Sequence, residues 1–187
     1  MILRFLYRNY LSLALLFAAA GPAMAAGTQA GSLEISVKAA FLPKFAAYVN
    51  WPPSVMGAPD DPLQLCVIGR DPFGPRLDEA ASRQHIDQHP ILVRHLENTE
   101  GAEQCHIAFV GGSAKQSAEA MLTALQGQPI LTVTDDRLGP QRGIVHFILK
   151  DGRVRFHIDD TLAARSNLNI SAKLLSLAVS VKPRGRA

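Results

Sequence analysis

The sequence predicts an α/β protein: a three-layer α/β/α sandwich whose mainly parallel sheet ends in an antiparallel hairpin. Three observations lead there. Short apolar runs of strand length alternate with helix-length amphipathic segments through the middle of the chain. Clusters of Gly, Asp and Pro separate them. Late in the chain, two apolar runs flank Lys150-Asp151-Gly152-Arg153, and an Asp-Gly between such runs is a hairpin signal.

The first 25 residues stand apart. Arg4 and Arg8 make a positive start, Leu11 to Ala20 make a short apolar run, and Ala23-Met24-Ala25 is a small-x-small cleavage site. That pattern is a secretory signal peptide, and its apolar run is too short for a membrane span. Residues 26–31 read as a small, flexible leader, residues 32–181 as one domain, and residues 182–187 as a basic tail. In that tail Lys182, Arg184 and Arg186 are expected to be solvated. The signal holds two of the 19 Lys and Arg and none of the 16 Asp and Glu, so its removal leaves a net charge of +1. Basic stripes interleaved with aromatics are missing, which argues against nucleic-acid binding. The mature chain is expected to be soluble and outside the cytoplasm.

Val37, Phe41, Phe45 and Tyr48 recur at helical spacing, so the opening of the domain predicts a helix with one apolar stripe. Ser32 or Ser36 is its expected cap and Pro52-Pro53 its stop. Pro43 lacks an N–H and crowds the carbonyl of Ala39, which predicts a kink or a start later than Val37. The stripe is read first as core. Tyr48 and Trp51, at its end, are the candidates for an aromatic pocket.

Leu63 to Ile68 is the first strand and Gly69 ends it. A helical stretch around Leu77 to Ala81 follows, then a second strand over Ile91 to Leu96. Cys105 to Val110 is the third strand. Ser113 is the expected cap of a helix over Ala114 to Leu125, with Ala118, Met121, Leu122 and Leu125 on one face. Ile130 to Thr134 is the fourth strand. Ile144 to Leu149 and Val154 to Ile158 form the hairpin, and Ile170 to Val179 the last helix. The parallel strands are expected in the doubly wound order 2-1-3-4-5.

Cys66 and Cys105 are the chain's two cysteines. Outside the cytoplasm such a pair bridges, and the expected order makes their strands neighbours, as a disulfide requires.

Signals for chemistry are weak. Gly69 to Gly74 and Gly111 to Lys115 lack the spacings of dinucleotide and phosphate loops. His85 and His89 are four apart but sit in a turn, and Ile86 stands where a zincin has Glu. His106, His146 and His157 fall in strands. Asp135-Asp136 and Asp159-Asp160, at strand ends, read as solvated or capping carboxylates. Neither a catalytic set nor a metal or cofactor site emerges, so an enzyme is not expected.

Several stretches, in order, resemble the YfiR-like periplasmic proteins. They are Val37-Lys38-Ala39-Ala40-Phe41 running to Trp51-Pro52, Val67 to Gly74, Cys105 to Val110, Leu131 to Asp135, and Val154 to Ile158 continuing to Ala178. The resemblance spans nearly the whole mature chain. It implies a dimeric α/β regulator without enzymatic activity that binds and inhibits the periplasmic sensor domain of an inner-membrane diguanylate cyclase. Redox state or envelope stress would release that inhibition, raising cyclic di-GMP and biofilm formation. Cys66 and Cys105 match the family's disulfide positions. Some members carry a second pair near the late hairpin, where this chain has Val145 and Phe147 and no cysteine. The same resemblance points to His146, Phe147, Phe156, Ile158, Leu162 and Arg165 as the partner-binding residues. The competing expectation is a periplasmic module for small molecules or cell-wall fragments that feeds a membrane sensor, with its pocket near Trp51.

Overall fold

The computed structural model describes residues 25–58 and 60–185. The signal segment before Ala25 and the tail residue Arg186 lie outside these residues. The chain opens with α1 (Ala25–Phe45), β1 (Val49–Asn50) and α2 (Pro53–Met56). The central alternation is β2 (Leu63–Gly69), α3 (Pro75–Ser82), β3 (His85–Ile86), β4 (His89–Leu96), β5 (Ile107–Gly112), α4 (Ala118–Ala124) and β6 (Leu131–Asp135). The closing part is β7 (Val145–Lys150), β8 (Arg153–Asp159), α5 (Asp160–Arg165), β9 (Asn169–Ile170), α6 (Ala172–Leu177) and β10 (Ser180–Lys182).

The main sheet runs β10-β8-β7-β6-β5-β2-β4-β3. Strands β4, β2, β5, β6 and β7 are parallel, which is the doubly wound order expected from the alternation. The β7–β8 hairpin is antiparallel, with Lys150 paired to Arg153. Asp151 at φ 51° and Gly152 at φ 68° are both left-handed, the requirement of a type I′ turn. Two short edge strands were not evident in the pattern: β3 against β4, and β10 parallel to β8. Strands β1 and β9 form a separate two-stranded ribbon.

Side chains alternate along the strands, so each face collects its own core. Leu65, Val67, Ile107, Phe109, Leu131, Val133, Val145 and Phe147 face α1 and α3. Cys66, Ile68, Ala108 and Val110 face Met121 of α4 and Leu125 just after it. Burying a Met or Leu of that size contributes about 2 kcal/mol.

Helix α1 differs from its sequence reading in three ways. It begins at Ala25, so the leader expected over 26–31 is helical despite Gly27 and Gly31. Ser32 and Ser36 are inside it and cap nothing; the Ser36 hydroxyl donates to the Ser32 carbonyl. The helix also runs through Pro43, two residues before its end at Phe45, and tightens into a 3₁₀ turn over Ala46–Tyr48.

Two other helices are shorter than their apolar periodicity implied. Ser117, not Ser113, caps α4 by accepting from the Ala120 amide. Ser113 instead holds the preceding turn, accepting from Lys115 and Gln116. The last helix is only Ala172–Leu177, capped by Ser171, because Ile170 pairs with Val49 and residues 180–182 join the sheet.

Candidate functional site

Most of the side chains expected to bind a partner face inward. Phe147, Phe156 and Ile158 are buried on the face that α1 covers. The Phe45 ring lies 5.7 Å from that of Phe147 and 5.4 Å from that of Phe156, with Phe41 within 6.4 Å of both. His146 is buried on the opposite face. The Thr134 hydroxyl accepts from the Gly143 amide and lies 2.9 Å from Nδ1 of the His146 ring. Burial, with the charge of Arg142 adding to it, pushes its pKa down to about 4. Their burial corrects these four residues from binding surface to framework. Leu162 is half-buried and Arg165 is exposed, both on α5.

The aromatic pair is internal as well. Trp51 is 8% exposed; its indole N–H donates to the His106 carbonyl and its ring meets the His106 ring edge-on. His106 accepts from the Gln64 amide at Nδ1 and donates from Nε2 to the Val55 carbonyl. Burial lowers its pKa despite that carbonyl. Tyr48 is half-buried, with the Lys173 ammonium 5.5 Å from its ring centre. The pocket expected here is corrected to a packed junction between the β1 approach and the start of β5.

A charged cluster was missed. Lys38 is only 1% exposed, and its ammonium lies 2.6 Å from Glu34 and 2.7 Å from Asp135. Arg137 reaches the second oxygen of Glu34 at 3.0 Å. Both carboxylates are buried, so Asp135 is no solvated strand end. Glu34, Lys38, Ala39, Leu42, Pro43 and Phe45 are the buried residues of α1, and two of them are charged. The expected stripe of Val37, Phe41, Phe45 and Tyr48 does pack on the core, and an apolar count along the helix passes over Glu34 and Lys38. The pair Asp159-Asp160 divides its roles. Asp159 caps α5 and takes Lys182, while Asp160 receives Arg184 through two hydrogen bonds. The reading of Lys182 and Arg184 as a loose solvated end is corrected accordingly.

Cys66 and Cys105 form a disulfide with Cα atoms 5.9 Å apart, both buried, tying β2 to the entry of β5. The glycines after these strands serve a close backbone approach. Arg70 donates its amide to the Gly112 carbonyl, and a Cβ on Gly69 would collide with that same carbonyl. The ends of β2 and β5 are thus drawn together at the point where doubly wound folds often hold a ligand.

The open concavity lies at the other end of the sheet, where β6 begins. A cleft of about 200 Å³ is lined by Leu125 and Gly127 after α4, by Thr132, Arg142 and Ile144, and by Leu162, Arg165 and Ser166. A second cleft shares Leu122, Thr123 and Arg142 with it and extends to Glu119. Arg142 and Arg165 have no carboxylate partner among the described residues, and Ser166, 6% exposed, lines the cleft beside them.

Among the described residues, no three His, Cys, Asp or Glu side chains group as a metal site, and no helix is long and apolar enough to cross a membrane. A comparison with curated proteins finds no match. The model of the YfiR/HmsC-like family matches residues 35–179, which take in every strand described above except β10. The chain belongs to the YfiR/HmsC-like family.

Proposed function

We propose that this protein is a periplasmic regulator that binds the periplasmic sensor domain of a membrane-bound diguanylate cyclase and holds its activity down. The family match over residues 35–179 carries this reading. Two features support it. The disulfide suits an oxidising compartment, and it pins the two central strands of a rigid sheet. The ends of β2 and β5 are drawn together where doubly wound folds often bind a ligand, while the cleft beside α5 is open. The protein acts by gripping another protein, performs no chemistry of its own, and works as a homodimer. Envelope or redox stress relieves the grip. The single bridge, Cys66–Cys105, holds the fold, and the second bridge of some relatives has no counterpart here.

Deleting the gene tests the reading. Cyclic di-GMP and surface attachment rise if it is right, and return to the starting level on complementation. Unchanged levels of both, in a strain whose cyclase is intact, reject it.

A further inference from the structure

We propose that the groove between α4 and α5 is a docking slot for an extended acidic-apolar segment of a partner protein, with one carboxylate seated between Arg142 and Arg165. The inference rests on the reading that this chain works by binding another protein.

The lining shows what the slot selects. Its floor is apolar, made by Leu122, Leu125, Ile144 and Leu162. Over that floor stand two guanidiniums without carboxylate partners among the described residues. Arginine at the C-terminal end of a short helix usually serves the helix's own free carbonyls. Here those carbonyls are taken. Leu162, Ala163 and Ala164 accept from the amides of Ser166, Asn167 and Leu168. At the end of α4, Ala124 accepts from the Gln128 side chain and Leu125 from the Gln128 amide. The guanidiniums are therefore left for something outside the chain, and a planar fork suits a carboxylate. Ser166 also lines the same cleft. The charge of Arg142 is felt inside the protein, where it lowers the pKa of both His146 and His157, alongside the larger effect of burial.

Shape favours a chain segment over a compact solute. The two clefts share Leu122, Thr123 and Arg142, so they form one trough running beside α4 from Glu119 to Gly127. At about 1.5 Å per helical residue, the helical part of that run, Glu119 to Ala124, is roughly 8 Å long, the span of two or three extended residues. Arg142 lines both clefts, with Glu119 in one and Arg165 in the other, so the basic pair lies on the α5 side of Glu119.

Fluorescence anisotropy on the full mature protein tests this. The probes are fluorescein-labelled hexapeptides with one glutamate flanked by leucines, and the same peptides with glutamine. The glutamate peptides should bind at least tenfold more tightly than the glutamine ones. Arg165→Glu and Arg142→Glu should each weaken them tenfold or more, while Arg153→Glu at the hairpin tip changes nothing. Circular dichroism confirms that each variant is folded. Equal binding of the two peptide sets, or full affinity in Arg165→Glu, overturns the proposal. So does self-association abolished by Arg165→Glu, which assigns the slot to a second copy. Competition by 4-methylvalerate as strong as by the peptide also overturns it, since the slot would then read a free acid. Peptide binding without capture of a cyclase sensor domain would sink the regulatory reading and leave the slot standing; capture insensitive to Arg165→Glu would do the reverse.

Discussion

The Lys38 ammonium sits 2.7 Å from each carboxylate oxygen of Asp135, a residue 97 positions away in the chain. This contact fastens the middle of α1 to the end of β6, and Glu34 and Arg137 complete a cluster of two cations and two anions. Taking charges out of water is costly, so such a cluster holds only while every member is paired. Its effect is to fix where α1 lies along the sheet, and so where Phe41 and Phe45 meet the hairpin.

Lys38→Met therefore leaves Asp135 buried and unpaired, and destabilises the protein by about 3–5 kcal/mol. The double variant Lys38→Met/Asp135→Leu recovers most of that loss, because Glu34 keeps Arg137. Urea unfolding followed by the fluorescence of Trp51, the chain's single tryptophan, reads both. A small loss in the single variant would show that the cluster is not needed to hold α1.

The disulfide joins residues 39 apart in sequence. Closing a loop of that length in the unfolded chain stabilises the fold by about 4 kcal/mol on the chain-entropy estimate. Cys66→Ala/Cys105→Ala is expected to lose roughly that amount and to keep its far-ultraviolet circular dichroism. A loss below about 1 kcal/mol would make the bridge marginal to folding.

His146 gives the fold an acid-sensitive point. Its pKa in the folded protein is about 4, below the 6.5 of a free imidazole, so between those pH values the unfolded chain binds more protons. The stability that depends on the neutral ring is complete above pH 6.5 and is lost as pH falls toward 4. Each tenfold difference in proton affinity between the folded and unfolded chain is worth about 1.4 kcal/mol, so the loss is on the order of 2–3 kcal/mol. His146→Asn removes this group's titration and should flatten the pH dependence of the unfolding midpoint over that window. An unchanged slope would place the acid sensitivity elsewhere.

Much of the fold was legible because its signals are local. Strand-length apolar runs, the Asp151-Gly152 turn and the two cysteines each point to one structure, and together they order the sheet. The site was harder to read. Phe147 and Phe156 look like surface candidates until α1 is placed over them, and that placement depends on Phe41 and Phe45, over a hundred residues earlier. Lys38 and Asp135 are polar, so a hydrophobic pattern passes over them although they lie in the interior. The edge strand β10 and the contact of Arg184 with Asp160 depend on a pairing that no local signal encodes. The slot beside α5 brings together Leu125, Arg142 and Arg165 from three separate parts of the chain.

The most direct measurement is equilibrium binding between the purified mature protein and the isolated periplasmic sensor domain of a diguanylate cyclase from the same cell. Saturable binding, weakened tenfold or more by Arg165→Glu and spared by Arg153→Glu, is the expected result. Absence of binding to any such domain from that cell, with the protein folded and its disulfide intact, would contradict the account.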